Sequence, residues 1–147
     1  MNNVYIASGW FSPEWLQEVE DIKAVLDDLK LDYFSPKDYA IAEATASNDT
    51  QKQIFDGNVK HLDTCDWMVC NTRNKDMGSI WEAGYFYALN KPIIYFCAGL
   101  PPGAKFNLML SASGVAVCTS IDDLREYLVH CKKEGRLIQR NYTGLIE

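Results

Sequence analysis

Apolar residues fall in short runs that alternate with longer amphipathic stretches, and this alternation predicts a parallel α/β sheet. The first run is Val4-Tyr5-Ile6-Ala7-Ser8, followed by Gly9-Trp10-Phe11. Ser12 then supplies a helix N-cap, with Pro13 at the first helical position. Leu16, Val19, Ile22, Leu26 and Leu29 recur at three- and four-residue steps, so this helix buries one stripe. Asp32-Tyr33-Phe34-Ser35 reads as a second strand, ended by Pro36. Lys37 to Asp49 is Ala-rich, polar and without period, the signature of a long mobile loop with room for a helical turn. A helix is predicted over about Thr50 to Leu62 and a strand over Trp67 to Asn71. The next helix opens near Ser79 and runs to Leu89, with Asn90 and Pro92 as its stop signals. Pro92 to Cys97 is a buried strand, and Gly99-Leu100-Pro101-Pro102-Gly103 a turn. A last strand, Val115 to Thr119, leads to a helix capped by Ser120, with Asp123 completing a capping box. The tail from Gly135 to Glu147 has too little periodicity to place.

Five strands with interleaved helices predict one domain over residues 1–147, a doubly wound, flavodoxin-like parallel sheet with helices on both faces. A chain of 147 residues buries a full core. In such sheets ligands bind beyond the carboxyl ends of the strands, at the topological switch point.

Charge narrows the partners. A net charge of -6 argues against a nucleic-acid polymer, which requires clustered Lys and Arg, and leaves small neutral ligands open. No run is apolar for long enough to span a membrane or serve as a secretory segment, so a cytoplasmic protein is expected. Cys65, Cys70, Cys97, Cys118 and Cys131 are odd in number, never spaced C-x-x-C, and set in apolar stretches, as reduced core thiols are. With His61 and His130 as the only histidines, a His-based metal site is not expected.

The switch-point rule selects the loops after the first, third and fourth strands. The middle one is richest: Asn74-Lys75-Asp76-Met77-Gly78-Ser79-Ile80-Trp81-Glu82-Ala83-Gly84-Tyr85. Asp76 falls in the loop, and Glu82 is placed in the first helical turn, where the helix dipole favours an ionised carboxylate. An ionised carboxylate is what a nucleophile must be. The competing reading is structural: Ser79-x-x-Glu82 is also a capping box, in which Glu82 only bonds its own helix start. Gly84 in turn fits close helix–sheet packing, and Tyr5 either a packed aromatic or a functional hydroxyl. Trp10 and Phe11 fit either a stacking surface for a flat ligand or a hydrophobic staple.

Taken together, these segments resemble the nucleoside 2-deoxyribosyltransferase family. The opening Val4-Tyr5-Ile6-Ala7-Ser8-Gly9-Trp10-Phe11-Ser12 is similar to its first strand and Gly-Trp-Phe loop. Asp76-x-Gly78-x-x-x-Glu82-x-Gly84-Tyr85 is similar to its signature, continued by Asn90-Lys91-Pro92-Ile93. Phe106-Asn107-Leu108-Met109 resembles its Asn-Leu-Met segment, and Asn141-Tyr142-Thr143-Gly144 its aromatic-and-glycine tail.

The resemblance implies transfer of 2-deoxyribose between nucleobases, with deoxynucleosides and free bases as substrates and no cofactor. Glu82 would be the nucleophile at C1′, Tyr5 would hold its orientation, and Asp76 would act on the leaving base. Gly9, Trp10, Phe11, Asn58, Gly78, Tyr142 and the terminal Glu147 would contact substrate. Asn107 would reach a neighbouring subunit's pocket, which implies a homo-oligomer with shared sites. One position departs from the family: many members carry an aspartate where Asn58 stands, and an amide keeps the hydrogen-bonding shape but loses the charge. Asp56, two residues away on a helix, points elsewhere. Two other functions fit parts of the pattern. One is hydrolysis of deoxynucleosides or their 5′-monophosphates; the other is a nucleotide-binding module without turnover.

Overall fold

The computed structural model describes residues 1–147. Its elements run β1 (Asn3–Ala7), α1 (Pro13–Asp28), β2 (Asp32–Phe34), α2 (Pro36–Tyr39), α3 (Asn48–Thr64) and β3 (Trp67–Asn71). They continue through α4 (Met77–Ala88), β4 (Ile93–Phe96), α5 (Leu108–Ser113), β5 (Ala116–Cys118) and α6 (Ile121–Glu134). All strands pair in parallel, in the order β2-β1-β3-β4-β5. That is the flavodoxin-like order, with the switch point between β1 and β3.

The alternation of side chains along each strand divides the interior in two. Val4 and Ile6 of β1 join Trp67, Val69, Ile94 and Phe96 in a core closed by Ile22 and Leu26 of α1 and Leu124 and Leu128 of α6. Tyr5 and Ala7 point the opposite way, into a core with Met68, Cys70, Ile93 and Tyr95 closed by Leu62 of α3 and Ala83 and Phe86 of α4. Because period and register are tied, β1 can put Tyr5 only on the α3–α4 side.

The expected helix starts hold at two places. Ser12 accepts the Trp15 N–H at 3.2 Å, and Ser120 accepts the Asp123 N–H at 3.0 Å. The reciprocal arm of the second box is displaced by one residue: Asp123 accepts from the Thr119 N–H at 3.0 Å. Between Lys37 and Asp49, the helical turn is α2, begun by Pro36 and docked at both ends. Asp38 meets the buried Lys23 at 2.7 Å, and the Tyr39 ring covers Gly57 so closely that a Cβ there would lie 2.6 Å from it. The helix that follows starts at Asn48, behind Ser47, and is longer at both ends than its predicted span.

Two features depart from the pattern of the sequence. A six-residue helix, α5, follows Asn107 and is too short to show a period. The tail returns across the molecule and pairs Ile146 beside Phe106 in parallel, a contact forty residues apart in sequence. Arg140 anchors it, with its guanidinium 2.8 Å from Asp123 and over the Tyr127 ring. All five cysteines are free thiols, four of them buried. No helix is long and apolar enough to cross a membrane.

Candidate active site

The start of α4 decides what Glu82 can do. Asp76, not Ser79, is the N-cap: its Oδ2 accepts the Ser79 N–H at 2.8 Å. The helix therefore begins at Met77 and Glu82 lies in its second turn, not the first as expected. The Ser79–Glu82 capping box does not form. Glu82 instead accepts a hydrogen bond from the Tyr5 hydroxyl at 2.8 Å. The helix dipole falls off within the first turn, so it is not what sets the charge of Glu82.

Burial sets it instead. Burial pushes the Glu82 carboxyl from an ordinary 4.5 up to about 7, Tyr5's hydrogen bond opposes this, and Asp76's charge adds to the rise. The Tyr5 hydroxyl is pushed up as well, by burial first and then by Glu82, so it stays a donor. The result is a carboxylate poised near neutrality, oriented by a fixed phenol.

The loop that carries Asp76 is tied down from behind. Asn71, the wholly buried last residue of β3, gives its Nδ2 to Glu18 Oε2 at 2.8 Å and to Ser8 Oγ at 3.3 Å. Glu18 is itself buried and paired with Arg73. Asn71 Oδ1 accepts the Arg73 N–H at 3.2 Å, and Asn74 Oδ1 accepts the Asp76 N–H at the same distance. This network joins the ends of β1 and β3 at the switch point. Sequence reasoning missed it, since Ser8, Glu18 and Asn71 belong to three separate elements.

The structure brings most of the predicted residues to this edge. Gly9 lies so close to Asp76 that a Cβ would stand 3.3 Å from its side chain. Gly78, Glu82 and Asn58 line one cleft of about 320 Å³ between α3 and α4. Phe55 and Trp81 line it too, and neither was singled out in the sequence. Trp10 and Phe11 stand outside that cleft. Their rings tilt together at 5.2 Å, and Phe11 meets Trp15 edge-on at 6.5 Å, which packs this loop on the first turn of α1. Asp56 turns away to Lys52. Gly84 is exposed, with nothing within 4 Å of an added Cβ, so close packing against the sheet does not explain it.

Three predicted residues lie elsewhere in the same chain. Asn107 and Glu147 line a separate cleft of about 500 Å³ with Arg73, Lys75 and Lys105. Asn107 caps α5 through Leu110 N at 3.2 Å, and Leu108 N–H donates to the terminal residue's backbone oxygen at 2.9 Å. Tyr142 bonds the Ala104 carbonyl and packs on Phe106. Leu108 and Met109 beside them are exposed.

Comparison with known proteins gives the family and the fold. The model of the family described as nucleoside 2-deoxyribosyltransferase matches residues 4–118. A 2-deoxyribosyltransferase from the psychrotolerant bacterium Bacillus psychrosaccharolyticus superposes with a TM-score of 0.77 at 28% identity, covering 95% of this chain and 98% of that one. A conserved protein from Enterococcus faecalis superposes at 0.72 with 20% identity over 88% of this chain and 98% of its own. A CMP N-glycosidase from Clostridium botulinum gives 0.59 at 14% identity, over 88% and 99%, and shares the fold. No curated protein matches the chain.

Proposed function

The chain belongs to the nucleoside 2-deoxyribosyltransferase family, and from that premise we propose that it exchanges the base of 2′-deoxynucleosides through a covalent intermediate on Glu82. The observation that carries this reading is Glu82 itself: largely buried, bonded to Tyr5 and not to its own backbone, and open to a cleft.

The chemistry proceeds in two displacements. A Glu82 oxygen bonds C1′ as the C1′–N bond breaks, and the electron pair leaves on the base, which takes its proton at Asp76. Asp76 holds Ser79 through Oδ2, leaving Oδ1 outside that cap to meet the base. A second base then attacks C1′ with its own nitrogen, the C1′–O bond to Glu82 breaks, and the surplus proton returns to Asp76. Two inversions give net retention, and kinetics are ping-pong. Tyr5 keeps one Glu82 oxygen bonded, which aims the other.

Asn107, Tyr142 and Glu147 act in the site of a second copy. Asn107 and Glu147 lie in a separate cleft beside the 72%-exposed Met109, and Tyr142 in another beside Arg140, which supports that arrangement. The lining of the Glu82 cleft, with Glu82 as its only charged residue, supports uncharged nucleosides as substrates. Incubation with a deoxynucleoside and a different free base tests the reading. Exchange of bases, abolished by Glu82→Ala, is the expected result. Release of free deoxyribose with no exchange would mean that water is the acceptor.

A further inference from the structure

The two sides of the Glu82 cleft are anchored very differently. Glu82 stands on α4, which Ala83 and Phe86 bury against the sheet, and Tyr5 fixes its carboxylate. The facing side is α3, seventeen residues long with Leu62 as its one buried side chain. Leu62 lies in the last turn of α3, and Asn58 and Phe55, which line the cleft, stand about one and two turns before it. On the outer flank only rings lean on the helix: Tyr39 covers Gly57, and Phe34 stacks on His61 at 3.6 Å. An element with so little core contact takes its spacing from whatever ties its ends.

Two such ties meet at the C-terminal end of α3. Helix ends leave carbonyls without partners, and a cation there satisfies both the carbonyls and the dipole. Lys91 supplies it: its Nζ donates to the Leu62 carbonyl at 3.0 Å and to the Asp63 carbonyl at 2.6 Å. Its place follows from how α4 ends. Asn90 takes a φ of 58°, and the N–H groups of Asn90 and Lys91 turn back to the Tyr87 and Phe86 carbonyls at 2.9 and 3.4 Å. The Lys91 side chain then crosses the Phe86 ring, with Nζ 5.2 Å from the centroid, to reach α3. The second tie starts on α4 itself. Tyr85, three residues beyond Glu82, donates to the Asp63 carboxylate at 2.8 Å and stacks on Trp81 at 5.6 Å. No other hydrogen bond crosses from α4 to α3. Both ties therefore sit about one turn below the level of Asn58 and Glu82.

We propose that Lys91, Tyr85 and Asp63 form a clamp that sets the width of the Glu82 cleft, and that the three are positioning residues for substrate binding. The inference rests on reading that cleft as the nucleoside site. It gives Tyr85 and the Asn90-Lys91 pair, which the chemistry leaves unused, a task in the protein. None of the three clamp residues lines the cleft, and none touches the Tyr5–Glu82 pair. The clamp therefore acts on how well a nucleoside is held and not on the bond that breaks. Without it α3 leans away from α4, fewer chains hold a cleft of the right width, and apparent affinity falls by that same fraction.

The test is base exchange by two variants. Lys91→Met keeps the stem over Phe86 and loses the ammonium; Tyr85→Phe keeps the ring on Trp81 and loses the hydroxyl. Lys91→Met is expected to raise KM for the deoxynucleoside by about tenfold or more, the worth of a hydrogen bond to a charged group. Tyr85→Phe raises it about threefold, as for an exposed hydrogen bond. In both, kcat and the pH inflection of Glu82 hold, and Lys91→Arg, which still donates to carbonyls, restores most of the loss. Should Lys91→Met not fold, Tyr85→Phe decides, since its hydroxyl lies at the surface. An unchanged KM in the folded variants, even with lowered stability, overturns the inference, because a merely structural tie gives that result. A fall in kcat with KM unchanged overturns it too. Calorimetric titration of Glu82→Gln with the four common deoxynucleosides, with and without Lys91→Met, separates the clamp from the chemistry. Weaker binding in the double variant, beside absent base exchange in the unaltered protein, keeps the clamp and removes the transfer reading. Equal binding removes the clamp alone, and no binding of any of the four removes both.

Discussion

Asp76 holds Ser79 twice through a single oxygen, accepting the backbone N–H at 2.8 Å and the hydroxyl at 2.7 Å. That pair of hydrogen bonds sets where α4 begins. It also gives Asp76 a structural task beside any chemical one, and the two can be separated. Asn caps a helix about as well as Asp, whereas Ala does not. Asp76→Ala is expected to lose about 1 kcal/mol of stability, and Asp76→Asn to stay within about half of that. Both should lose activity. Because Asp76's charge raises the Glu82 carboxyl, Asp76→Asn should also move the acid limb of the pH profile downward. Equal destabilisation by both variants, measured by denaturant unfolding, would show that the cap depends on more than the hydrogen-bond acceptor.

The pH profile of kcat/KM reports Glu82 in the free protein. The nucleophile must be ionised, so activity is expected to rise with pH through about 7. Tyr5's hydrogen bond lowers the Glu82 value. Tyr5→Phe therefore shifts the inflection upward, with a loss below it of about ten- to a hundredfold, as for a hydrogen bond to a charged group. An unshifted inflection in Tyr5→Phe would remove Tyr5 from the mechanism.

Burying Glu82 carries a stability cost with a definite sign. Its carboxyl is raised from 4.5 to about 7 in the folded protein, so between those values the unfolded chain gives up its proton first. Stability then falls as pH rises through that window, by about 3 kcal/mol in full. Glu82→Gln has no charge to bury and keeps an oxygen for Tyr5. It should be more stable than the unaltered protein at mildly alkaline pH, and the gap should close as pH falls to 4.5. A gap that is constant with pH would mean the carboxyl is not raised.

Gly84 gives a simpler expectation. It sits in the interior of α4, exposed, with open space where a Cβ would go. Gly84→Ala should stabilise the protein by about 0.5 to 1 kcal/mol through helix propensity alone. Loss of stability would point to a packing role that the geometry does not provide.

Much of this molecule was legible from periodicity. The buried strands read as near-continuous apolar runs because both faces of the sheet are covered, and α1 announced itself through Ser12, Pro13 and its stripe. What failed was local register. Asp76 and Ser79 are both good caps, and propensity cannot rank them. Packing on Tyr5 and Ser79's burial decide it. Phe55 and Trp81 were missed for a related reason. On α3 the spacing Phe55, Asn58, Leu62 looks like an ordinary helix stripe, and only the approach of α4 turns it into a cleft wall. The tail's pairing with Phe106 was beyond any local pattern, since its partner lies so far away in sequence.

The most direct test of the central claim is covalent trapping. A slow 2-fluoro-deoxynucleoside is incubated with the protein, and the labelled chain is digested and mapped by mass spectrometry. The account predicts one deoxyribosyl label per chain, on the peptide carrying Glu82, and none on Glu82→Gln. A label on a different carboxylate, or steady base exchange through which no glycosylated peptide ever accumulates, would contradict it.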